Sequence, residues 1–273
     1  MTLMLLATVL VGAAAGCVGV MLGVGGGIFL VPFLNLVVGL PFQSSAAVSL
    51  VTIIATSSLT VTNAQQRELA NRRLALLLEA FTAPAALIAA YWAHSIPEPT
   101  LRRVFAIVAF VIAGVMMTRL NKRNVVLDPD FETGALGARF FEAESGTIVS
   151  YAVKRLPVAC GVSAAAGALS GLLGIGGGIL KVPVLNAVCG VPMRAAAATS
   201  AFMIGITVAA SAIPYYAHGD IVPHVAAATV IGVLIGGRLG VWLVSRTKAR
   251  WLKLLFVLML VAVATSYLIK AGG

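Results

Sequence analysis

Residues 23–32 read Gly23-Val24-Gly25-Gly26-Gly27-Ile28-Phe29-Leu30-Val31-Pro32, and residues 174–183 read Gly174-Ile175-Gly176-Gly177-Gly178-Ile179-Leu180-Lys181-Val182-Pro183. The two stretches are 151 residues apart, and the same offset, without a gap, pairs Asn35 with Asn186 and Ser49 with Ser200. An apolar segment that glycines interrupt at corresponding positions of two halves is typical of membrane transporters built from internal repeats. The sequence therefore indicates two copies of one unit.

The composition excludes most classes of soluble protein. Of the 273 residues, 60% are hydrophobic and 10% are charged, and the mean hydropathy is +1.03. Soluble proteins carry about 25% charged residues. A chain this apolar needs a lipid bilayer around it, and it is long enough to cross the membrane several times. We therefore predict an all-α, polytopic membrane protein.

The net charge of +10 would suggest nucleic-acid binding in a soluble protein. Here Lys and Arg lie mainly in short loops between apolar segments, where basic residues determine which side of the membrane a loop occupies. We therefore expect no nucleic-acid partner. Cys17, Cys160 and Cys189 lie in apolar segments without metal-ligand spacing, so we expect neither a disulfide framework nor a metal site.

Each repeat contains five apolar segments. The segments are predicted at 3–22, 28–40, 44–63, 74–93 and 104–119 in the first repeat and at 157–173, 179–191, 195–214, 225–244 and 254–270 in the second. The second segment of each repeat is shorter than the ~20 residues that a spanning helix needs. It also follows three glycines and contains Pro32 or Pro183. We expect a broken or partly spanning helix at these two places.

The chain divides into residues 1–120 as repeat one, 121–155 as an extramembrane linker and 156–273 as repeat two. The linker holds five of the nine acidic residues. The stretches 138–143 and 147–152 flank Glu144-Ser145-Gly146 as the strands of a small β-hairpin would. We expect the hairpin to join the repeats outside the membrane, and a regulatory role for it stays open.

The Lys and Arg residues of the loops distinguish two topologies. Five crossings per repeat give inverted halves, with 13 of these residues on one side and three on the other. Four crossings per repeat give parallel halves, with 10 on one side and six on the other. The positive-inside rule favours five crossings and an inverted duplication. Four crossings remain the alternative, because five require the short second segment to cross.

Three consecutive glycines allow the backbone to turn sharply. At membrane depth such a turn must be buried in protein or line a wet cavity. The helix that starts after it offers free N–H groups and the positive end of its dipole to an anion. Two copies can place two helix starts opposite each other, whereas the alternative role of the glycines is close helix packing. The predicted substrate-binding residues are Gly25, Gly26, Gly27, Asn35, Ser49, Gly176, Gly177, Gly178, Lys181, Asn186, Thr199 and Ser200.

Lys181 determines the expected charge of the substrate. It lies three residues after Gly178 inside an apolar run, where repeat one has Leu30. A lysine within a membrane segment is a functional hypothesis by default. No Asp or Glu is close in sequence to neutralise it, so we expect an anionic substrate to be its counterion. The alternative is a lysine that extends to the membrane interface.

Other polar residues of the apolar segments have two possible roles each. Asn35 and Asn186 would hydrogen-bond to an oxyanion or to a neighbouring helix. The hydroxyls of Ser49, Thr199 and Ser200 would contribute to the site, or some of them would only satisfy backbone groups. Glu79 is a carboxylate clearly inside an apolar segment and would carry a coupling proton. Its alternative role is an ion pair at the membrane interface with Arg73.

These motifs resemble the TauE/SafE family, the sulfite-exporter type of permease. The residues that carry the resemblance are the two Gly-(Val/Ile)-Gly-Gly-Gly-Ile-x-x-Val-Pro stretches, Ala197-Ala198-Thr199-Ser200, and Ser150-Tyr151-Ala152-Val153-Lys154-Arg155-Leu156-Pro157. The resemblance covers nearly the whole chain. It implies a multi-pass transporter of the bacterial cytoplasmic (inner) membrane for small sulfur-containing or organic anions such as sulfite or sulfonates. It does not fix the substrate, and eight helices are the number often given for the family.

The sequence thus predicts a secondary anion transporter whose partners are a small anionic substrate and the lipid bilayer, and the family resemblance implies that it is an exporter. No catalytic motif, nucleotide-binding motif or dinucleotide fingerprint occurs, so we expect no enzyme activity and no cofactor. The sequence is also compatible with a homo-oligomer. The alternative functions are an anion channel with the same site and a membrane protein that binds a partner and transports nothing.

Overall fold

The computed structural model describes residues 2–62, 68–118, 133–142, 147–244, 257–258 and 260–267. These residues form helices and one small antiparallel sheet. The helices are α1 (Thr2–Leu22), α2 (Gly27–Leu36), α3 (Phe42–Thr62), α4 (Arg72–Trp92), α5 (Glu98–Thr118), α6 (Leu156–Leu173), α7 (Gly178–Ala187), α8 (Met193–Ala217) and α9 (Pro223–Val244). The strands are β1 (Ala138–Glu142) and β2 (Thr147–Tyr151), and residues 260–267 are again helical.

Six helices of the described chain, α1, α3, α4, α6, α8 and α9, are long and apolar enough to cross a membrane. The predicted all-α, polytopic membrane fold is therefore confirmed. The helices α2 and α7 have 10 residues each. At 1.5 Å per residue each is about 15 Å long, which is half of the ~30 Å hydrocarbon core. The prediction of short second segments is thus correct, and neither helix spans the membrane by itself.

Close contacts between helices show their relative directions. Along each of four neighbouring pairs, residue numbers rise together in both helices, so the two helices of each pair are parallel. The contacts are Val9–Gly232 and Cys17–Gly240 for α1 and α9, Thr52–Thr229 and Leu59–Gly237 for α3 and α9, Thr82–Gly167 and Ala86–Gly171 for α4 and α6, and Asn71–Thr199 and Glu79–Thr207 for α4 and α8. Many of these contacts involve glycine, which lets two backbones approach closely.

The helices α3 and α8 are antiparallel. Ser57, near the end of α3, donates a hydrogen bond of 3.1 Å to the carbonyl oxygen of Ala201, near the start of α8. Leu50 shares a core cluster instead with Val208, in the later half of α8. Consequently α1, α3 and α9 run in one direction and α4, α6 and α8 in the other. Since α1 and α3 are parallel, the chain returns between them towards the side on which α1 starts, through α2 and the loop that follows it.

Two paired strands are present where the sequence predicts a β-hairpin. Strand β1 pairs with β2 in antiparallel register, from Ala138 opposite Tyr151 to Glu142 opposite Thr147. The side chain of Tyr151 is buried against the start of α4, the end of α7 and the start of α8. Asn71, the N-cap of α4, accepts a hydrogen bond from the Leu74 N–H and donates one of 3.2 Å to the Tyr151 hydroxyl. One side chain therefore fixes both the helix start and the hairpin.

Asn71→Ala is expected to lower the free energy of unfolding by about 2 kcal/mol, because α4 loses its cap and the hairpin loses a hydrogen-bond donor. A lower melting temperature of the purified protein in detergent would report this loss. Tyr151→Phe is the matched control, since it removes one of these hydrogen bonds and should cost about 1 kcal/mol or less. Equal losses in the two variants would contradict the capping role of Asn71.

Candidate functional site

The two glycine turns lie together at the middle of the helical assembly. A Cβ atom on Gly27 would be 2.7 Å from Ser49 Oγ and 2.8 Å from the carbonyl oxygen of Gly174 in the other turn. A Cβ atom on Gly178 would likewise be 2.8 Å from the carbonyl oxygen of Gly23. Residues 23–27 and 174–178 are buried throughout. The turns therefore contact each other reciprocally, as the sequence predicts.

The depth of the turns follows from the long helices beside them. Gly27 packs on Ser49 and Ile53, near the middle of α3, and Gly178 packs on Ile204, near the middle of α8. Each short helix leads from its turn to the start of the next long helix. Because α3 and α8 are antiparallel, α2 and α7 begin side by side and lead to opposite faces. Two positive helix ends thus converge near the centre of the membrane.

Apolar side chains occupy the space between the turns. Side-chain carbons of both Ile53 and Ile204 lie within 3.5 Å of the positions that Cβ atoms on Gly25 and Gly176 would take. A small cavity beside the first turn is lined by Gly25, Thr56 and Ile204, among other residues, and has room for about one water molecule. An anion of several atoms needs more space, so helices or these side chains must move before it binds between the turns.

Lys181 is paired with Glu79 in the interior. Lys181 Nζ lies 3.5 Å from Glu79 Oε2, and the Thr207 hydroxyl accepts a hydrogen bond of 3.0 Å from Lys181 and donates one of 2.5 Å to Glu79. Lys181 is 2% exposed and Glu79 is 4% exposed. This corrects the expectation that an anionic substrate is the counterion of Lys181, because Glu79 neutralises it. The readings that place either side chain at the membrane interface are wrong too.

The ion pair occurs at one turn of the two. At the 151-residue offset, Lys181 corresponds to Leu30, Glu79 to Val230 and Thr207 to Thr56. Thr56 uses its hydroxyl differently, since its Oγ1 lies 3.3 Å from the carbonyl oxygen of Gly25. The repeat-two turn therefore has a charged group beside it where the repeat-one turn has an apolar one.

Both predicted asparagines hold the chain after a short helix. Asn35 Nδ2 donates to the carbonyl oxygen of Leu40 at 2.8 Å and to Glu98 Oε1 at 2.9 Å. Asn186 Nδ2 donates to the carbonyl oxygen of Val191, the equivalent of Leu40, at 2.9 Å. The Nδ2 groups of both asparagines thus bond to groups outside the two glycine turns. Of the two readings from sequence, the structure supports bonding within the protein over bonding to an oxyanion.

The predicted hydroxyls have three different environments. Ser49 donates to the carbonyl oxygen of Gly174 at 2.7 Å and so joins α3 to the opposite turn. Thr199 accepts the backbone N–H of Asn71 at 2.9 Å, which ties α8 to the start of α4. Ser200 is completely buried, and its hydroxyl has no hydrogen-bond partner among the residues that the structure describes. Ser49 and Thr199 therefore have structural partners in this conformation, whereas Ser200 does not.

The profile of the family described as "Sulfite exporter TauE/SafE" matches residues 8–267. This chain belongs to the TauE/SafE family. The matched range includes both glycine turns and the Lys181–Glu79 pair. A TauE/SafE chain whose described part has six long apolar helices is a multi-pass protein of the bacterial inner membrane, and the resemblance inferred from the motifs is correct.

A curated relative supports membrane transport for this TauE/SafE chain. It is the "Probable membrane transporter protein YunE" of Bacillus subtilis (strain 168). It is 26% identical over 263 residues, which cover 93% of this chain and 94% of the relative. No solved structure matches this chain. The family and the relative thus indicate a membrane transporter but do not identify its substrate-binding residues.

Sequence reasoning missed three side chains of the site. Ile53, Ile204 and Thr207 appeared as ordinary members of apolar segments, although Ile53 and Ile204 are equivalent at the 151-residue offset. That equivalence is the signal that could have found the two isoleucines, because each packs against both of the turns that the same offset relates. Thr207 has an equivalent too, Thr56, but the offset gives no sign of its partners, which are 26 and 128 residues away.

Proposed function

We propose that this protein is a secondary transporter that exports small sulfur-containing or organic anions, such as sulfite or sulfonates, across the cytoplasmic membrane. The observation that carries the proposal is the meeting of two buried helix starts, α2 and α7, at the centre of the helical assembly. Their free N–H groups and dipoles favour an anion there. The description of the family as sulfite exporters supports the substrate class and the direction.

The two halves are an inverted duplication in this proposal. The antiparallel α3 and α8 support it, as do the reciprocal contacts of α1 with α9 and of α6 with α4. The described starts of α4, α6 and α8 carry Arg72, Arg73, Arg155 and Arg194. The positive-inside rule places this basic face, and the hairpin that covers part of it, in the cytoplasm. Access to the turns then alternates as one half moves against the other.

The buried ion pair couples the anion to a proton. Lys181 and Glu79 together carry no net charge, which is the state that a low-dielectric interior favours. If Glu79 takes up a proton, the charge of Lys181 is uncompensated, and a bound anion restores neutrality. Proton and anion therefore bind together and leave together, so that export takes place when the outward gradient of the anion exceeds the inward gradient of the proton.

A carrier fits the site better than an open channel does. Ile53 and Ile204 fill the space between the turns, so each transported anion requires their displacement or a movement of the helices. Such movements take place in microseconds to milliseconds and limit the rate. A channel would instead need a continuous wet path past both isoleucines.

Transport by the purified protein in liposomes tests this function. Vesicles loaded with sulfite are expected to release it faster with the protein than without it, and a pH-sensitive dye should report proton movement with the anion. Flux far above the rate of a conformational cycle would favour the channel. If sulfite, thiosulfate and methanesulfonate all leave the vesicles no faster with the protein than without it, the protein is a partner-binding membrane component instead.

A further inference from the structure

The two glycine turns differ in the use of equivalent serines. At the first, Ser49 lies against Gly27 and donates to the carbonyl oxygen of Gly174. At the second, its equivalent Ser200 lies against Gly178, with Oγ 3.0 Å from the position that a Cβ atom would take there. Ser200 is completely buried and has no hydrogen-bond partner within the described part of the chain. A buried hydroxyl without a partner is costly, so it needs an explanation.

A second buried hydroxyl of this kind lies at the same turn. Ser170, near the end of α6, is 0% exposed, and no described residue bonds to its Oγ. Its Cβ is 3.4 Å from the position that a Cβ atom on Gly177 would take. Repeat one has Gly19 at the equivalent place, and a Cβ atom there would be 2.4 Å from the Gly26 nitrogen. The first turn has no room for the side chain that the second turn carries.

The two serines flank the first residues of α7. The Lys181 N–H bonds to the carbonyl oxygen of Gly177 at 3.4 Å and closes the first turn of this helix. The N–H groups that precede it, at Gly178 and Ile179, have no acceptor inside the helix. Two buried hydroxyls therefore lie on either side of the start of α7, beside the positive end of its dipole.

We infer that Ser170, Ser200 and the start of α7 form the seat of the transported oxyanion, and that the first turn is its structural counterpart and binds no anion. The inference rests on the proposed function and makes the site one-sided. The oxygens of a sulfite or sulfonate group accept hydrogen bonds from both hydroxyls and from the free N–H groups. Lys181, one helical turn further, supplies the charge once Glu79 is protonated.

Room for the anion comes from Ile204. Its Cδ1 lies 2.4 Å from the position of a Cβ atom on Gly178, so this methyl group borders the seat. The side chain ends in a rotatable bond, and a change of rotamer moves the methyl group away without a shift of the backbone. The small cavity beside the first turn is also lined by Ile204. This side chain therefore separates the seat from the space that already exists.

Matched serine variants test the seat. Binding of sulfite and of methanesulfonate to the purified full-length protein in detergent would be measured by titration calorimetry. Ser170→Ala and Ser200→Ala are each expected to weaken the Kd about tenfold or more, since each removes a hydrogen bond to a charged group. Ser49→Ala, the matched control from repeat one, should change the Kd less than about threefold. Without ligand it should lower the melting temperature, because its hydroxyl has a protein partner, whereas Ser170→Ala and Ser200→Ala should not.

Each outcome decides something different. If the wild type binds neither anion, both the proposed function and the seat are overturned. If the wild type binds, and Ser170→Ala and Ser200→Ala bind as tightly, the seat alone is wrong. An equal loss of affinity in Ser49→Ala would show a symmetric site. If the two repeat-two variants lose melting temperature and keep their affinity, the hydroxyls hold a structural water, and the inference is overturned.

Discussion

Lys181→Leu is expected to lower the free energy of unfolding by about 3–5 kcal/mol and to abolish anion transport. The variant leaves Glu79 as a buried charge whose ionic partner is gone, and breaking a buried ion pair from one side costs about this much. Transport fails because Lys181 supplies the charge that the anion neutralises. The melting temperature in detergent would measure the first effect, and anion release from proteoliposomes the second.

The double variant Glu79→Val/Lys181→Leu separates stability from transport. It gives each position the residue type of its equivalent in the other repeat, Val230 for Glu79 and Leu30 for Lys181. Replacing both members of a buried pair by apolar residues is often neutral or stabilising. We therefore expect a melting temperature close to that of the wild type, with no transport. Transport by this variant at the rate of the wild type would show that the pair only supports the fold.

The variant Glu79→Gln tests whether Glu79 carries the proton that moves with the anion. This substitution imitates a protonated Glu79, so the charge of Lys181 stays uncompensated until an anion binds. The protein without ligand should be less stable than the wild type, and sulfite should raise its melting temperature by more than it raises that of the wild type. Proton movement with the anion should disappear. Unchanged proton movement would remove Glu79 from the coupling mechanism.

Arg102→Ala is the control for the loss of a cation. Arg102 and Glu98 form an ion pair on α5 at 2.6 Å, and their side chains are 26% and 30% exposed. Partly exposed pairs one helical turn apart contribute about 0–1 kcal/mol. A drop in stability as large as that of Lys181→Leu would mean that any lost cation destabilises this highly basic protein. A small drop in stability would show that Lys181→Leu destabilises the protein because the ion pair of Lys181 is buried.

Periodic and local features of this fold could be predicted from the sequence. The 151-residue offset identified the glycine turns, and the chain length between Gly27 and Pro41 set the size of the short helix. The hairpin at 138–142 and 147–151 followed from two strand-like stretches around a turn. These features depend on residues that are neighbours in the chain, or on a pattern that the chain repeats. Helix α1 illustrates this, since its predicted and observed bounds differ by one residue.

Partners distant in sequence could not be predicted. Glu79 and Lys181 are 102 residues apart, and nothing in either segment indicates that α4 and α7 meet. A lysine without an acidic neighbour in the chain therefore appeared to lack a counterion. The two asparagines show a different error. Because Asn recurs at the 151-residue offset, Asn35 and Asn186 were predicted to bind the substrate, whereas each holds the loop after a short helix. Residues that recur at the 151-residue offset hold the backbone at both places, whereas we propose that those that differ, such as Lys181 against Leu30, carry the chemistry.

Gly178→Ala is expected to destabilise the protein by about 3 kcal/mol and to abolish transport. The added methyl group would lie 2.4 Å from Ile204 Cδ1 and 2.8 Å from the carbonyl oxygen of Gly23. The isoleucine can turn away, but the carbonyl belongs to the backbone of the opposite turn, so the two turns must separate. Overpacking of this kind costs about 1–3 kcal/mol and occasionally more. Melting temperature and anion release would be measured on the same preparation.

Gly161→Ala is the matched control for this substitution. Gly161 lies in α6, is exposed, and has no atom within 4 Å of the position that a Cβ atom would take. Alanine in a helix is favoured over glycine by about 1 kcal/mol, so this variant should be as stable as the wild type or more stable, and it should transport normally. Wild-type transport by Gly178→Ala would mean that the turns tolerate separation. In that case the close contact of the two helix starts is not what makes this place an anion site.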